Sequence, residues 1–147
     1  MKILVQRVKE AKVIVQEKCI SQIGKGYLLF VCVEKDDDIQ CVTKAAQKIA
    51  NLRIFEDENG KMNNSIIDTN GEILSVSQFT LSWDGQKGNR PSFDRSKNPE
   101  ESLVLFNEFN QILEGLITGN LKMGAFGEHM EVSLINDGPA TFNLEFS

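Results

Sequence analysis

The chain has 147 residues, of which 41% are hydrophobic, and it carries a formal net charge of -5. A chain of this length buries roughly 68–70% of its unfolded surface, which predicts one domain over residues 1–147. The acidic balance argues against broad nonspecific binding to nucleic acid, so any RNA contact must be local. No stretch reaches the roughly 18 apolar residues of a membrane span, and the start lacks the form of a signal peptide. We therefore expect a cytoplasmic protein with no membrane partner.

The cysteines and the histidine indicate neither a metal site nor a cofactor site. Cys19, Cys32 and Cys41 are odd in number and far apart in sequence. They lack the spacing of a disulfide framework or a zinc site, so reduced thiols are expected. His129, the sole histidine, lies in a strand-like stretch. We interpret it as a strand residue that is either solvated or satisfied by partners within the protein, without a chemical role.

The first half of the chain predicts several strands and one helix. Alternating or continuous apolar residues predict strands over residues 3–15, 20–23 and 27–33, the last of them central. The run Asp36–Asp38 offers N-cap candidates, and the apolar spacing from Ile39 to Ile49 predicts a helix of about four turns. After a return to extended chain, Asp57–Gly60 predicts a hairpin turn.

The second half predicts a strand, a loop, a helix and the final strands. The strand covers Gly71–Leu81, and a polar, locally basic loop runs from Ser82 to Lys97. Asn98 is the expected cap of a helix that ends at Gly119, with Pro99 at its first position. Its apolar stripe comprises Leu103, Phe106, Phe109, Ile112, Leu113 and Leu116. Strands outnumber the two main helices, so the class is α+β with a mostly antiparallel, barrel-like sheet.

Two polar segments on strand-like sequence are the candidates for a functional site. The first is Ser77, Gln78, Phe79 and Thr80. At a strand end, these residues can present hydroxyls, an amide and main-chain N–H groups, donors that suit an oxyanion at an ester carbonyl. The second segment, Asn136–Thr141, contains the step Gly138-Pro139, and a proline there marks a turn, an edge or a bulge and permits a cis bond. Simple strand-end polarity and an ordinary tight turn are the alternatives.

Together the two segments resemble the signature motifs of the D-aminoacyl-tRNA deacylases, the D-tyrosyl-tRNA deacylase family. The motifs are Ser-Gln-Phe-Thr-Leu at 77–81 and Asn-Asp-Gly-Pro-Ala-Thr at 136–141. The likeness continues in order along essentially the whole chain, through residues 6–8, 52–57, 60–63, 87–93 and 123–127. Asn64 and Ala140 depart from it, standing where larger apolar residues are expected.

The resemblance implies the family's fold, a homodimer, and hydrolysis of the ester bond of D-aminoacyl-tRNA and of glycyl-tRNA. It implies that the residues at 77–80 line the catalytic pocket. It also implies that Gly138 and Pro139 are joined by a cis bond and enter the partner's pocket, where their carbonyls exclude L-amino acids. Arg7, with Asn136 and Thr141, would support this turn.

The catalytic group and the RNA contacts stay open at this point. Thr80 could be a nucleophile, but without an adjacent base its hydroxyl is weak. We prefer main-chain N–H groups near Phe79 and Thr80 as electrophilic donors, with the tRNA 2′-hydroxyl assisting attack by water. Expected phosphate contacts are Lys87, Arg90, Arg95 and Lys97, unless the loop is simply solvated. A noncatalytic module that binds RNA or DNA and a small-molecule binder are the competing functions.

Overall fold

The computed structural model describes residues 1–86 and 88–147. In chain order its elements are β1 (Lys2–Val15), β2 (Lys18–Ile23), β3 (Gly26–Cys32), α1 (Ile39–Ala50), β4 (Phe55–Glu56), β5 (Met62–Asn64), α2 (Ile66–Thr69), β6 (Glu72–Ser77), a 3₁₀ helix (Phe79–Ser82), α3 (Pro99–Leu116), β7 (Leu121–Met123) and β8 (Glu131–Glu145). Among these residues, no helix is long and apolar enough to cross a membrane.

One mixed, barrel-like sheet organises the fold. Its strand order is β2-β1-β3-β6-β7, and β8 pairs with β1. The long strand β1 pairs antiparallel with β2, β3 and β8. The strands β3, β6 and β7 run parallel to one another. The predicted α+β class with a barrel-like sheet is therefore confirmed. The sequence indicated a mostly antiparallel sheet, whereas its β3-β6-β7 part is parallel.

The two longer helices cover one face of this sheet and pack against each other. Asp38 caps α1, and its carboxylate accepts the Cys41 N–H at 2.9 Å. Asn98 caps α3 and accepts the Glu101 N–H at 3.0 Å, with Pro99 in the first turn as expected. Side-chain oxygens at these positions satisfy N–H groups that the helix leaves unpaired.

The predicted apolar stripe of α3 is buried only in part. Phe106, Phe109 and Leu113 are buried, but Leu103 and Leu116 are each 38% exposed. The helix also ends at Leu116, before the glycine that was expected to end it. Opposite the helices, a smaller apolar cluster lies on the other sheet face, because successive strand residues point to alternate faces.

The strand predicted over residues 71–81 stops at Ser77. The Gln78 N–H still donates to the Val31 carbonyl at 2.8 Å, but the chain then turns into the 3₁₀ helix. The neighbouring strand β3 ends at Cys32, so β3 offers β6 no ladder partner beyond this point. The end of β3 therefore determines where β6 ends, and the Ser77–Thr80 segment lies partly outside the sheet.

Candidate functional site

A cavity of about 620 Å³ opens where β6 passes into the 3₁₀ helix. Three separate parts of the sequence line it: the strand end, the loop that leads into α3, and the segment before β8. Its polar and aromatic lining includes Ser77, Gln78, Phe79, Phe93, Ser96, Lys97, Asn98, Ser102, Phe126, Glu128 and His129. The volume lies within the roughly 300–1,000 Å³ typical of small-ligand sites.

The strand end presents main-chain donors beside this cavity. Within the described residues, the N–H groups of Phe79 and Thr80 donate to no protein acceptor, as is usual in the first turn of a helix. The thiol of Cys32 lies behind them, with its sulfur 3.6 Å from the Phe79 carbonyl oxygen. Burial raises the pKa of this thiol to about 11, so it stays protonated near neutral pH.

Three of the four predicted pocket residues line the cavity, and Thr80 does not. Thr80 is exposed, and its hydroxyl oxygen accepts a hydrogen bond from the Gln78 amide at 2.7 Å. An amide donor does not remove a proton from a hydroxyl. This geometry therefore supplies no base that would turn Thr80 into a strong nucleophile.

An aromatic pair joins the strand end to the following loop. Phe79 is 54% exposed and meets Phe93 edge to face, with ring centroids 5.0 Å apart. Such pairs stabilise beyond simple burial by about 0.5–1.5 kcal/mol. The contact places the loop against the cavity and leaves aromatic surface accessible there.

The second motif forms a bulge in β8 opposite Arg7. Gln6 pairs with Thr141 and Val8 pairs with Asn136, so residues 137–140 face one residue of β1. The Gly138-Pro139 peptide bond is cis, which is the isomer that the resemblance implied. Both residues are exposed, so the turn projects from the sheet.

Arg7 holds this turn from below. Its Nε donates to the Asp137 carbonyl at 2.8 Å and its Nη1 donates to the Ile54 carbonyl at 2.6 Å. The guanidinium is buried, and the carboxylate of Asp137 lies 3.9 Å from Nε. A Cβ added to Gly138 would lie 2.9 Å from Nη2. The turn and the start of the β4-β5 hairpin are thus fixed to one side chain.

The two other predicted supporting residues close the turn from the side. The Asn136 amide oxygen accepts the Ala140 N–H at 2.9 Å, and its nitrogen donates to the Gln6 amide oxygen. The Thr141 hydroxyl donates to the same Gln6 oxygen. These bonds connect both ends of the bulge to β1, which makes the turn well supported although exposed.

Within one chain the two motifs do not meet. No residue of 136–141 lines the 620 Å³ cavity. Asp137 and Gly138 instead border a separate polar cleft with Arg7. Through the register of β3, Arg7 lies level with Ile73 of β6. Ile73 is four residues before Ser77, so Arg7 and Ser77 are about 13 Å apart along the strand direction.

The predicted phosphate contacts have different environments. Lys87 lies outside the described residues, and Arg90 is exposed. Arg95 lies 3.8 Å from each of two carboxylates. Lys97 lies 3.9 Å from the carboxylate of Glu101 and also donates to a backbone carbonyl at 2.6 Å. Arg95 and Lys97 are therefore engaged within the chain, whereas Arg90 is accessible.

Sequence reasoning included residues 123–127 in the family likeness but predicted no site role for the segment before β8 or for His129. The expectation that His129 lies on a strand is wrong, because β8 begins at Glu131 and residues 124–130 are irregular, with residues 126–130 lining the cavity. The signal in the sequence is Gly124 and Gly127, which interrupt the apparent alternation. Gly127 adopts a φ of +77°, a value that favours glycine.

Comparison with known proteins identifies the same family that the two motifs resemble. Residues 4–145 match the family model described as D-Tyr-tRNA(Tyr) deacylase. The D-aminoacyl-tRNA deacylase of Lactobacillus acidophilus is 50% identical, over 99% of each chain. That of Thermotoga petrophila is 48% identical, over 100% of this chain and 98% of its own.

Two solved structures share the fold. One, described as a c-Myc DNA unwinding element binding protein, has a TM-score of 0.94 and 40% identity, covering 99% of this chain and 98% of its own. The other, described as a probable eukaryotic D-amino acid tRNA deacylase, has a TM-score of 0.80 and 16% identity, covering 97% of both chains. The second likeness concerns the fold alone.

The protein is a hydrolase of the class that cleaves the ester bond of D-aminoacyl-tRNA. The chain belongs to the D-Tyr-tRNA(Tyr) deacylase family, as the paired motifs at 77–81 and 136–141 predicted.

Proposed function

We propose that this deacylase acts as a homodimer that reads the handedness of the amino acid. In this proposal the Gly138-Pro139 turn of one subunit enters the 620 Å³ cavity of the other. The site then accepts D-aminoacyl and glycyl esters of tRNA and rejects L-aminoacyl esters. One observation carries the proposal: the turn is exposed and braced, yet it lies away from the cavity of its own chain.

The chemical logic of such a site favours main-chain groups over side chains. An enzyme that accepts many D-amino acids cannot recognise their side chains, so it must read the configuration at Cα. A fixed carbonyl that collides with an L substituent discriminates by repulsion. Each tenfold of discrimination requires about 1.4 kcal/mol. Glycine has no side chain to reject, which is why glycyl esters pass the same test.

For catalysis we propose that the free N–H groups of Phe79 and Thr80 bind the ester carbonyl oxygen as negative charge develops on it. Water attacks the carbonyl carbon and the bond to the ribose 3′-oxygen breaks, while the neighbouring 2′-hydroxyl relays a proton from the attacking water to the departing 3′-oxygen. Gln78 holds the Thr80 hydroxyl, so both side chains position the segment.

A subunit-mixing experiment tests the shared site. Gly138→Ala damages the turn, and Ser77→Phe fills the cavity, so each variant alone should lose activity on D-tyrosyl-tRNA. Mixed dimers contain one site with an intact turn and an intact cavity, and random mixing should restore about one quarter of the wild-type activity. Failure to recover any activity, with mixed dimers verified by mass spectrometry, contradicts the shared site.

Substrate selectivity is tested separately from assembly. Release of amino acid is followed from D-tyrosyl-, L-tyrosyl- and glycyl-tRNA. The proposal requires rapid loss of the first and the last, and persistence of the L-ester. Equal hydrolysis of the D- and L-esters would contradict chiral selection while leaving the ester hydrolase intact.

We also propose that the loop around Arg90, with Lys87, contacts tRNA phosphates, supported by the exposure of Arg90. The double variant Lys87→Ala/Arg90→Ala should weaken tRNA binding and flatten its dependence on salt. A matched double variant on α1, Lys44→Ala/Lys48→Ala, removes the same charge elsewhere. Equal salt slopes in the two double variants would contradict the contact.

A second candidate function is DNA binding, favoured by the described role of the structural neighbour with 40% identity. The net charge of -5 weighs against it. Titration of the protein with double-stranded DNA and with tRNA at equal salt separates the two functions. Tighter binding to DNA, without hydrolysis of D-tyrosyl-tRNA, would favour the second.

We propose a cytoplasmic location, supported by the three free cysteines in the described chain. Cell fractionation that finds the protein outside the soluble cytoplasmic fraction would contradict it.

A further inference from the structure

We infer that protonated His129 binds the phosphate joining the terminal adenosine of the substrate tRNA to the preceding nucleotide. The inference rests on the proposed function only in placing the terminal aminoacyl nucleoside in the 620 Å³ cavity. It assigns a role to a side chain that neither motif contains.

The size and lining of the cavity place this phosphate at the opening. A cavity of about 620 Å³ accommodates one drug-sized group, such as an aminoacyl nucleoside, and leaves little room for a second nucleotide. Apolar side chains form much of its wall: Val33, Val76, Phe93, Phe126, Met130 and Val132. Because an anion is costly to bury in such surroundings, the phosphate must stay near solvent.

His129 is the ionisable side chain left to contact a phosphate at this position. The titratable side chains that line the cavity are Lys97, Glu128 and His129. The ammonium of Lys97 donates to a backbone carbonyl at 2.6 Å and lies 3.9 Å from the carboxylate of Glu101. Glu128 adjoins His129 and is exposed, and its charge would repel a phosphate. His129 is exposed and joins no ion pair within residues 1–86 and 88–147.

The neighbouring backbone holds this side chain at the cavity. The Glu128 N–H donates to the Ala125 carbonyl at 3.3 Å, which closes a turn within the segment. On the other side, Met130 packs against the smaller apolar cluster. A Cβ on Gly124 would lie 2.8 Å from the Met130 sulfur, so the two ends of the segment are in close contact. The imidazole therefore extends from a supported turn rather than from a free loop.

This arrangement makes substrate binding depend on pH. Among protein side chains, histidine is the one whose ordinary charge change falls between about pH 5 and 8, so the contact is tested by comparing affinities near the two ends of this range. The charged groups near His129 are Lys97, Glu101 and Glu128. Exposed charge contacts are modest, and we expect affinity to fall about two- to fivefold across this interval.

The test uses tRNA carrying D-tyrosine through a 3′-amide, which resists hydrolysis, so that binding is measured without turnover. The dissociation constant is determined at pH 5.5 and 8.0 for the wild type, His129→Asn and His129→Lys. We expect the wild type to bind about two- to fivefold more tightly at pH 5.5 than the asparagine variant, and equally at pH 8.0. The lysine variant should bind tightly at both values, because its charge persists. Lys48→Asn on α1 is the matched control for a lost surface charge and should behave as the wild type.

A second ligand distinguishes a contact between His129 and the phosphate from a contact between His129 and the nucleoside. Adenosine carrying D-tyrosine through the same 3′-amide has no phosphate, so His129→Asn should not change its affinity at either pH. The inference is overturned if His129→Asn and the wild type show the same pH dependence with the tRNA ligand. It is also overturned if the variant affects the adenosine ligand equally. Wild-type hydrolysis of D-tyrosyl-tRNA, measured in parallel, reports on the proposed function independently of both results.

Discussion

Gly138 offers the most direct test of how the exposed turn is supported. Its φ is +141°, and a Cβ there would lie 2.9 Å from Nη2 of Arg7 and 3.0 Å from the Ala140 nitrogen. The guanidinium cannot move away freely, because it is buried and donates to two carbonyls. In Gly138→Ala, backbone strain and crowding should each cost about 1–3 kcal/mol, or about 2–6 kcal/mol together.

The control separates these two contributions. Gly60 also has a positive φ, +70°, but a Cβ there meets no atom within 4 Å. Gly60→Ala should therefore cost only the strain, about 1–2 kcal/mol. In an Arg7→Lys background, which lacks Nη2, the excess cost of Gly138→Ala should shrink.

The assay is urea unfolding with matched thermal melts. In a chain of this length each 1 kcal/mol lowers the Tm by about 2–4 °C. The reasoning is refuted if Gly138→Ala and Gly60→Ala destabilise equally, or if the Arg7→Lys background leaves their difference unchanged.

Further predictions concern catalysis, the buried arginine, a helix cap and a thiol. Thr80→Ala should retain measurable deacylation, whereas substrate with a 2′-deoxy terminal adenosine should not react; the reverse pattern in single-turnover assays would favour a threonine nucleophile. Arg7→Ala leaves two carbonyls unpaired and should cost about 2–4 kcal/mol in urea unfolding, and a loss below 1 kcal/mol would contradict the bracing role. Asp38→Ala removes the α1 cap and should cost about 1 kcal/mol by the same method, with no effect on the ester assay. Burial raises the pKa of Cys32 from 9.0 to about 11, so the unfolded chain releases this proton first and the free energy of unfolding should fall as pH rises through that interval. The fall should be smaller in Cys32→Ala, and an unchanged slope would contradict it; at pH 8 a thiol reagent should label exposed Cys19 long before Cys32.

Local signals in the sequence predicted most of the secondary structure. The caps Asp38 and Asn98 begin their helices as expected, because a side-chain oxygen acts on N–H groups only two or three residues away. The exposure of Leu103 and the end of β6 at Ser77 were not predictable in this way. They depend on which elements lie alongside, and neighbours in space are distant in sequence.

In the candidate site, too, local sequence signals were predictable and contacts between distant segments were not. The motifs at 77–81 and 136–141 were visible as residues, and the cis bond followed from the resemblance. The third wall of the cavity, residues 126–130, overlaps the likeness at 123–127, but no site role was predicted for it, and only the fold brings it to Ser77.

The pairing of β8 with β1 has a consequence for biosynthesis. It joins residues 2–14 to residues 131–145, so translation must be nearly complete before the sheet can close. Until then, one side of β1 is an open template for strands of other nascent chains. Ribosomes that stall before codon 131 should therefore release products that aggregate, even though most of the core residues have already been synthesised.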